Sequence, residues 1–370
     1  MSAKKGLTMS LTRGVGVCLA LALLVSALFA SGAFAAKETK PTNYIALGDS
    51  VSYGYSQQKF EENFPSESAS AFEGGFVNQL GEKLAALSKK SGGVLSTLNL
   101  SCPGELSDGL IGTNPLLGGG QQANGVSDSN PCGWHNGFGF PRHVEYGSVS
   151  QLEAGIGIVT TPGTYGTAKY ATLQIGSNDE LAVVKACSTP AYLTLHSFPN
   201  GLIECLLHEV SEAGYYYEKG AFFHIIHNIG DTIGVLRSQG FTGEVAVLGF
   251  YNPQSQILPG SDTLQKELNA HLGGAIKGGL FGPGVIFVNP FKWTNPTTRG
   301  PKAEGVAICK YTEECNVHDK KVNKEKETGL PVTTEEAEKY PSGDIHPTPE
   351  GHKLFAKLLY KGIKNSESVE

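Results

Sequence analysis

At 370 residues, with a formal charge of −6 and 17% charged side chains, the chain is long enough for one large domain or two ordinary ones. It holds no Lys/Arg cluster, which excludes the electrostatic footprint of a nucleic-acid binder and a surface built to dock on anionic lipid.

The N-terminus reads as a leader. Lys4, Lys5 and Arg13 precede an apolar stretch from Val15 to Ala30, and Ala33-Phe34-Ala35 supplies a small-x-small cleavage site. Basic, then apolar, then small is the order of a secretory signal peptide. Residues 1–35 are therefore expected to be removed and the remainder to be secreted. The apolar core is 16 residues, short of the roughly 20 needed to span a bilayer, so no stable membrane insertion is expected after cleavage. Loss of the leader removes three cations and no acid, taking the formal charge to −9. Cys18 leaves with it. The other cysteines (Cys102, Cys132, Cys187, Cys205, Cys309 and Cys315) are even in number, which in a secreted chain reads as a disulfide set. Pairing of neighbours, 102 with 132, 187 with 205 and 309 with 315, is favoured because each pair falls inside one local segment. A metal site lacks CxxC spacing.

In chain order, Asn43–Leu47 is a short apolar strand ended by Gly48. Phe76, Leu80, Leu84 and Leu87 recur at helical spacing, predicting a helix over 76–87. Val94–Leu100 is a second strand, closing on Cys102-Pro103-Gly104. Residues 105–148, rich in Gly, Asn, Ser and Pro, read as a long loop excursion. A helix over 149–158, a strand over Tyr170–Ile175 and helical patterns within 201–238 follow. Gly243–Tyr251 is a fourth strand, Ser261–Ile276 a helix, and Val285–Val288 a fifth strand. Residues 289–342 read as irregular, and Pro349–Ile363 is a closing helix. Strands alternating with helices predict an α/β fold, a three-layer α/β/α sandwich around a parallel sheet of about five strands. No repeat and no linker divides the chain. One domain over 36–370 is expected, with insertions at about 105–148 and 252–342.

Chemistry-bearing residues sit at the ends of these strands. Gly48-Asp49-Ser50 follows the first, Cys102-Pro103-Gly104-Glu105 the second and Gly176-Ser177-Asn178-Asp179 the third, while Asp344-Ile345-His346-Pro347 lies far downstream. In open parallel sheets, ligands bind beyond the carboxyl ends of the strands, so these segments are expected at one edge. A serine hydroxyl becomes a nucleophile when an imidazole takes its proton. Each segment also has a structural reading: Asp49-Ser50 and Ser177-Asn178 suit turns or helix caps, and Pro347 suits a helix start.

Ser, Gly, Asn and His in this order and these settings resemble the SGNH, or GDSL, hydrolases, from about Pro41 to Lys364. The resemblance implies a flavodoxin-like strand order. It implies Ser50 as nucleophile and His346 as general base, with an oxyanion hole formed by the N–H of Ser50, the N–H of Gly104 and the side-chain amide of Asn178. It implies no metal and no cofactor. One departure stands out: the family's acid usually lies three residues before the histidine, where this chain has Gly343. Asp344 is two before, and in extended backbone residues two apart point to one side, so it can still reach the ring. A backbone carbonyl such as that of Gly343 is the alternative orienter.

Asp49 and Asp179 are expected to brace their turns. His224 and His227 lie three apart on a helix, but no third ligand supports a metal site; His135 reads as an ordinary loop histidine. The expected activity is that of a secreted serine esterase or lipase acting as a monomer on a lipid, small-alcohol or acetylated-sugar ester. Phe138, Phe140, Phe281, Phe287 and Trp293 in the insertions tilt the substrate modestly toward an acyl chain, although small satellite cores under long loops are the commoner reading of such aromatics. Alternatives are an acetyl esterase or acyltransferase acting on carbohydrate, and an inactive carbohydrate-binding or adhesion module.

Overall fold

The first strand, β1 (Thr42–Gly48), is apolar on both faces because both faces are covered. The computed structural model describes residues 41–112, 132–187, 220–255, 258, 260–337 and 342–367. The expected leader, Cys205 and the helical patterns of 201–219 lie outside them. After β1 come α1 (Phe76–Lys90), β2 (Leu95–Asn99), α2 (Gln151–Thr160), β3 (Thr167–Gln174) and α3 (Ala221–Ser238). Then follow β4 (Glu244–Leu248), α4 (Ser261–Lys277), β5 (Val285–Val288) and α5 (Pro349–Glu367).

Successive strand residues point to opposite faces, and β1 divides accordingly. Tyr44 and Ala46 pack with Phe76, Leu80 and Leu84 of α1 and Phe355 and Leu359 of α5. Ile45 and Leu47 pack with Leu152 of α2, Ile225, Ile229 and Ile233 of α3, and Leu268 and Leu272 of α4. The result is an α/β/α sandwich. Local signals set where the helices begin: α2 opens on a capping box in which the Ser150 hydroxyl and the Glu153 carboxylate each accept the other's backbone N–H.

All five strands run parallel, in the order β2-β1-β3-β4-β5. This is the flavodoxin-like order, whose direction of winding reverses between β1 and β3. At that reversal the loops leaving β1, β2 and β3 stand side by side at the carboxyl edge, and a cleft is left between them.

Two stretches depart from the sequence reading. Residues 289–342 are not irregular: helices form at Phe291–Thr294, Pro301–Tyr311, Val317–Thr328 and Thr334–Ala337. The expected second insertion is also shorter at its start, since α4 and β5 belong to the core. The first excursion carries short helices at Ser107–Ile111 and Gly133–Phe138. Disulfides join Cys102 to Cys132 and Cys309 to Cys315, as local pairing anticipated; the pairing of Cys187 with Cys205 falls outside the described residues. Among the described residues, no helix is long and apolar enough to cross a membrane.

Helix α5 is locked to α1 through His352, whose Nδ1 accepts the N–H of Phe76 at 3.2 Å. Burial drives this imidazole toward its neutral form, helped by the charges of Lys59 and His346, and takes its pKa from 6.5 to about 3. A histidine that titrates lower when folded contributes stability that is lost as pH falls between these values. Denaturant titrations of wild type and His352→Gln should therefore show the wild type's stability advantage shrinking as pH drops from 6.5 toward 3. A pH-independent difference would contradict this.

Candidate active site

The turn after β1 is built around Asp49. Its carboxylate accepts the N–H of Val51 at 2.9 Å and caps the short helix Ser50–Tyr53, with Ser50 at the first position. The second oxygen accepts Nε2 of Gln174 at 3.2 Å, tying the turn to the end of β3. Burial, only partly offset by these hydrogen bonds, pushes Asp49 up to about 7. On the other side Gln151 of α2 clamps Gly48: its Oε1 accepts the Gly48 N–H at 2.8 Å and its Nε2 donates to the Gly48 carbonyl at 2.9 Å. The same Nε2 donates to Glu105 at 3.0 Å. Gly48 lies at φ +152°, and a Cβ there would sit 2.1 Å from the Gln174 carbonyl oxygen, so no larger residue fits.

The loop after β2 is fixed by the Cys102–Cys132 bridge, by Cys102 N–H donating to Gly48 O at 3.0 Å, and by Cys132 N–H donating to Glu105 at 2.9 Å. Gly104 adopts φ +74°, and a Cβ would lie 2.5 Å from the indole nitrogen of Trp134. The space beside Gly104 is thus taken by an indole edge. Asn178 follows β3, and its amide donates to the Glu105 carbonyl at 2.9 Å, which orients it. Asp179 accepts both the N–H and the hydroxyl of Ser107, at 3.0 and 2.7 Å, bracing the same pair of loops.

The histidine arrives on the segment before α5. Its backbone is strapped on both sides: Glu313 N–H donates to His346 O at 2.8 Å, and the Tyr251 hydroxyl donates to Ile345 O at 2.7 Å. The Cys309–Cys315 bridge closes the turn that supplies Glu313. The Ser50 hydroxyl donates to His346 Nε2 at 2.8 Å, and His346 Nδ1 donates to Asp344 at 2.5 Å. The group at this ring nitrogen is the carboxylate rather than a backbone carbonyl, despite the shortened spacing. Asp344 also accepts the N–H of His346 at 3.0 Å and of Gln57 at 3.2 Å. Burial alone would raise this carboxyl, but the hydrogen bond and charge of His346 outweigh it and hold the carboxyl below the usual carboxylate range. Tyr55 covers the imidazole, ring centres 4.7 Å apart.

Two cavities meet at Ser50. An open cleft is lined by Tyr55, Gly104, Trp134, Asn178 and His346. A second cavity runs inward past Asn178 between Leu181, Val184, Phe222, Leu258 and Leu264. Glu180, also on its wall, is pushed up to about 8 by burial, which favours its uncharged form. Among the described residues, the N–H groups of Ser50 and Gly104 donate no hydrogen bond to protein.

The aromatics expected near the substrate lie elsewhere. Phe281 and Phe287 belong to the core, Phe140 packs with Tyr53, Tyr55 and Phe72, Trp293 is exposed, and the side chain of Phe138 is outside the described residues. His135 Nδ1 donates to the Phe140 carbonyl, while His224 and His227 pair with Asp108 and Asp231. Gln151, Gln174 and Tyr55 are site residues that no sequence signal marked, since each acts through a partner distant in the chain.

No protein-family model matches the sequence, and no curated protein matches it. Solved structures do. A lipase from a goat rumen metagenome is 14% identical with a TM-score of 0.41, covering 87% of this chain and 97% of that one. A lipolytic protein of the G-D-S-L family from Veillonella parvula is 12% identical with a TM-score of 0.37, covering 87% and 98%. A variant of Axe2, an acetyl-xylooligosaccharide esterase from Geobacillus, is 11% identical with a TM-score of 0.41, covering 87% and 93%.

If the Asp344 carboxylate holds the ring of His346, Asp344→Asn lowers kcat for an ester substrate by about 10-fold or more. Activity within twofold of wild type would assign the orientation to another group.

Proposed function

We propose that the chain is a serine hydrolase of the SGNH type that cleaves carboxylic esters through an acyl-enzyme. The observation that carries this reading is the unbroken run of hydrogen bonds from the Ser50 hydroxyl through both nitrogens of His346 to Asp344. Ser50 Oγ attacks the ester carbonyl as its proton passes to His346 Nε2, and Asp344 stabilises the imidazolium. The carbonyl oxygen becomes an oxyanion facing the N–H groups of Ser50 and Gly104 and the Asn178 amide. On collapse the C–O bond to the alcohol breaks and His346 returns its proton to the leaving oxygen. Water, deprotonated by the same imidazole, then releases the acid and restores Ser50. No metal or cofactor enters this sequence of steps.

The inward cavity takes the acyl group, because its lining is mainly apolar and it opens at Ser50. The open cleft takes the alcohol. A second reading, removal of acetyl groups from carbohydrate, draws support from Tyr55 and Trp134 lining that cleft, since aromatic rings suit sugar binding. The mature protein is read as a single secreted domain, in keeping with its disulfides.

Nitrophenyl esters from acetate to palmitate, assayed on wild type and Ser50→Ala, test the proposal. The substitution should reduce turnover on the order of 10⁶-fold, and comparable rates for the two proteins would refute a serine mechanism. The acyl assignment is tested by Leu264→Trp, which fills the inward cavity. It should lower kcat/KM at least 10-fold for octanoate while leaving acetate within about threefold, the scale of losing a few methylene contacts. Equal effects on both esters would remove the acyl chain from that cavity.

A further inference from the structure

Behind the Ser50–His346–Asp344 run lies a second carboxyl group, Asp319, near the start of the helix Val317–Thr328. It is fully buried, and neither of its oxygens has a hydrogen-bond donor among the described residues. A buried carboxylate with no donor is costly, whereas a carboxylic acid needs only one acceptor for its O–H. The acceptor within reach is the carboxylate of Asp344.

We propose that Asp319 is a positioning residue: in its acid form it donates a hydrogen bond to Asp344 and so fixes the carboxylate that orients His346. This rests on the esterase reading above for its catalytic consequence, though not for its geometry.

The electrostatic surroundings agree. Burial is the main influence on Asp319, followed by the negative charges of Asp344, Glu313 from the turn below and Glu61 from the helix Gln57–Asn63, and together they push it up to about 7. The nearby cations are committed elsewhere: His318 and Lys326 pair with Glu61 at 3.2 and 3.1 Å, and the charge of Lys320 acts on Glu314. Glu314, itself buried, is pushed up to about 7 by burial and by Asp344, only partly offset by Lys320. Two adjoining carboxyls thus divide their roles, with Asp344 driven to the anion and Asp319 to the acid, a division that like charges at close quarters enforce. When Asp319 ionises, the O–H···O bond becomes a repulsion against Asp344.

The test uses Asp319→Asn, which keeps a donor but cannot ionise, and Asp319→Leu, which removes the donor. At pH 6, Asp319→Asn should stay within about threefold of wild type, while Asp319→Leu should lose about 10-fold in kcat with KM unchanged, the scale of one hydrogen bond to a charged group. The kcat ratio of Asp319→Asn to wild type should rise as pH passes through about 7. A flat ratio overturns the proposal, and so does equal activity of the two variants. If Asp319→Leu does not fold, the pH ratio decides alone.

A readout independent of turnover separates this proposal from the esterase reading. In a protein carrying His346→Gln, which removes the ring's own titration, the carboxyl ¹³C resonance of Asp344 should show an inflection near pH 7 that disappears when Asp319→Asn is added. Persistence of the inflection overturns the positioning role, whether or not the wild type cleaves any ester. Loss of the inflection alongside a wild type without esterase activity would uphold the carboxyl pair and remove the reaction assigned to it.

Discussion

One hydrogen bond, from the hydroxyl of Ser50 to Nε2 of His346 at 2.8 Å, joins residues 296 positions apart. A contact across that span exists only if the sheet, the closing helix and two loops all hold their places. The parallel sheet sets the first half of the geometry. Because winding reverses between β1 and β3, the turn bearing Ser50 stands between the loops bearing Gly104 and Asn178. The second half comes from α5, which packs on α1 and β5 and carries the strapped segment ahead of it to the same edge.

The turn after β1 is held by buried polar groups, and this is an expensive way to hold anything. Asp49, Glu105, Gln151 and Gln174 are each nearly or wholly excluded from solvent. Partly satisfied, such a set would weaken the fold; supplied with partners, it specifies one arrangement. Gln151 illustrates the point, since its one amide group satisfies both the N–H and the carbonyl of Gly48 while reaching Glu105. These groups fix where Ser50 and Gly104 can stand. The disulfides work at a coarser level: one holds the Gly104 loop to the helix bearing Trp134, and the other closes the turn on which His346 rests.

Much of this arrangement was legible from residues alone, for physical reasons that differ by element. Strands such as Val285–Val288 and helices such as Ser261–Lys277 declare themselves through local apolar pattern, and Ser50, Gly104 and Asn178 through their place just past strand ends. Helix Val317–Thr328 did not, because it is polar on nearly every side. It is held by the Asn316 cap and by His318 and Lys326 reaching Glu61, contacts that no periodicity encodes. Phe281 and Phe287 lie in an excursion by sequence yet pack into the core, and Leu181, Val184, Phe222 and Leu264 line the cavity instead. Asp344 fell between these cases. Its spacing departs from the resembled family, yet its carboxylate reaches both the backbone N–H and the ring of His346 across the shorter interval.

The central claim is that Ser50 Oγ forms a covalent bond to the acyl carbon while three donors hold the oxygen beside it. A crystal structure of the protein treated with an alkyl p-nitrophenyl phosphonate, a stable mimic of the tetrahedral intermediate, addresses that claim most directly. The expected result is phosphorus bonded to Ser50 Oγ, its phosphoryl oxygen about 2.7–3.1 Å from the N–H groups of Ser50 and Gly104 and the amide nitrogen of Asn178. The alkyl chain should enter the cavity beside Leu264. Phosphorus attached to a different residue, or a phosphoryl oxygen turned away from all three donors, would contradict the account.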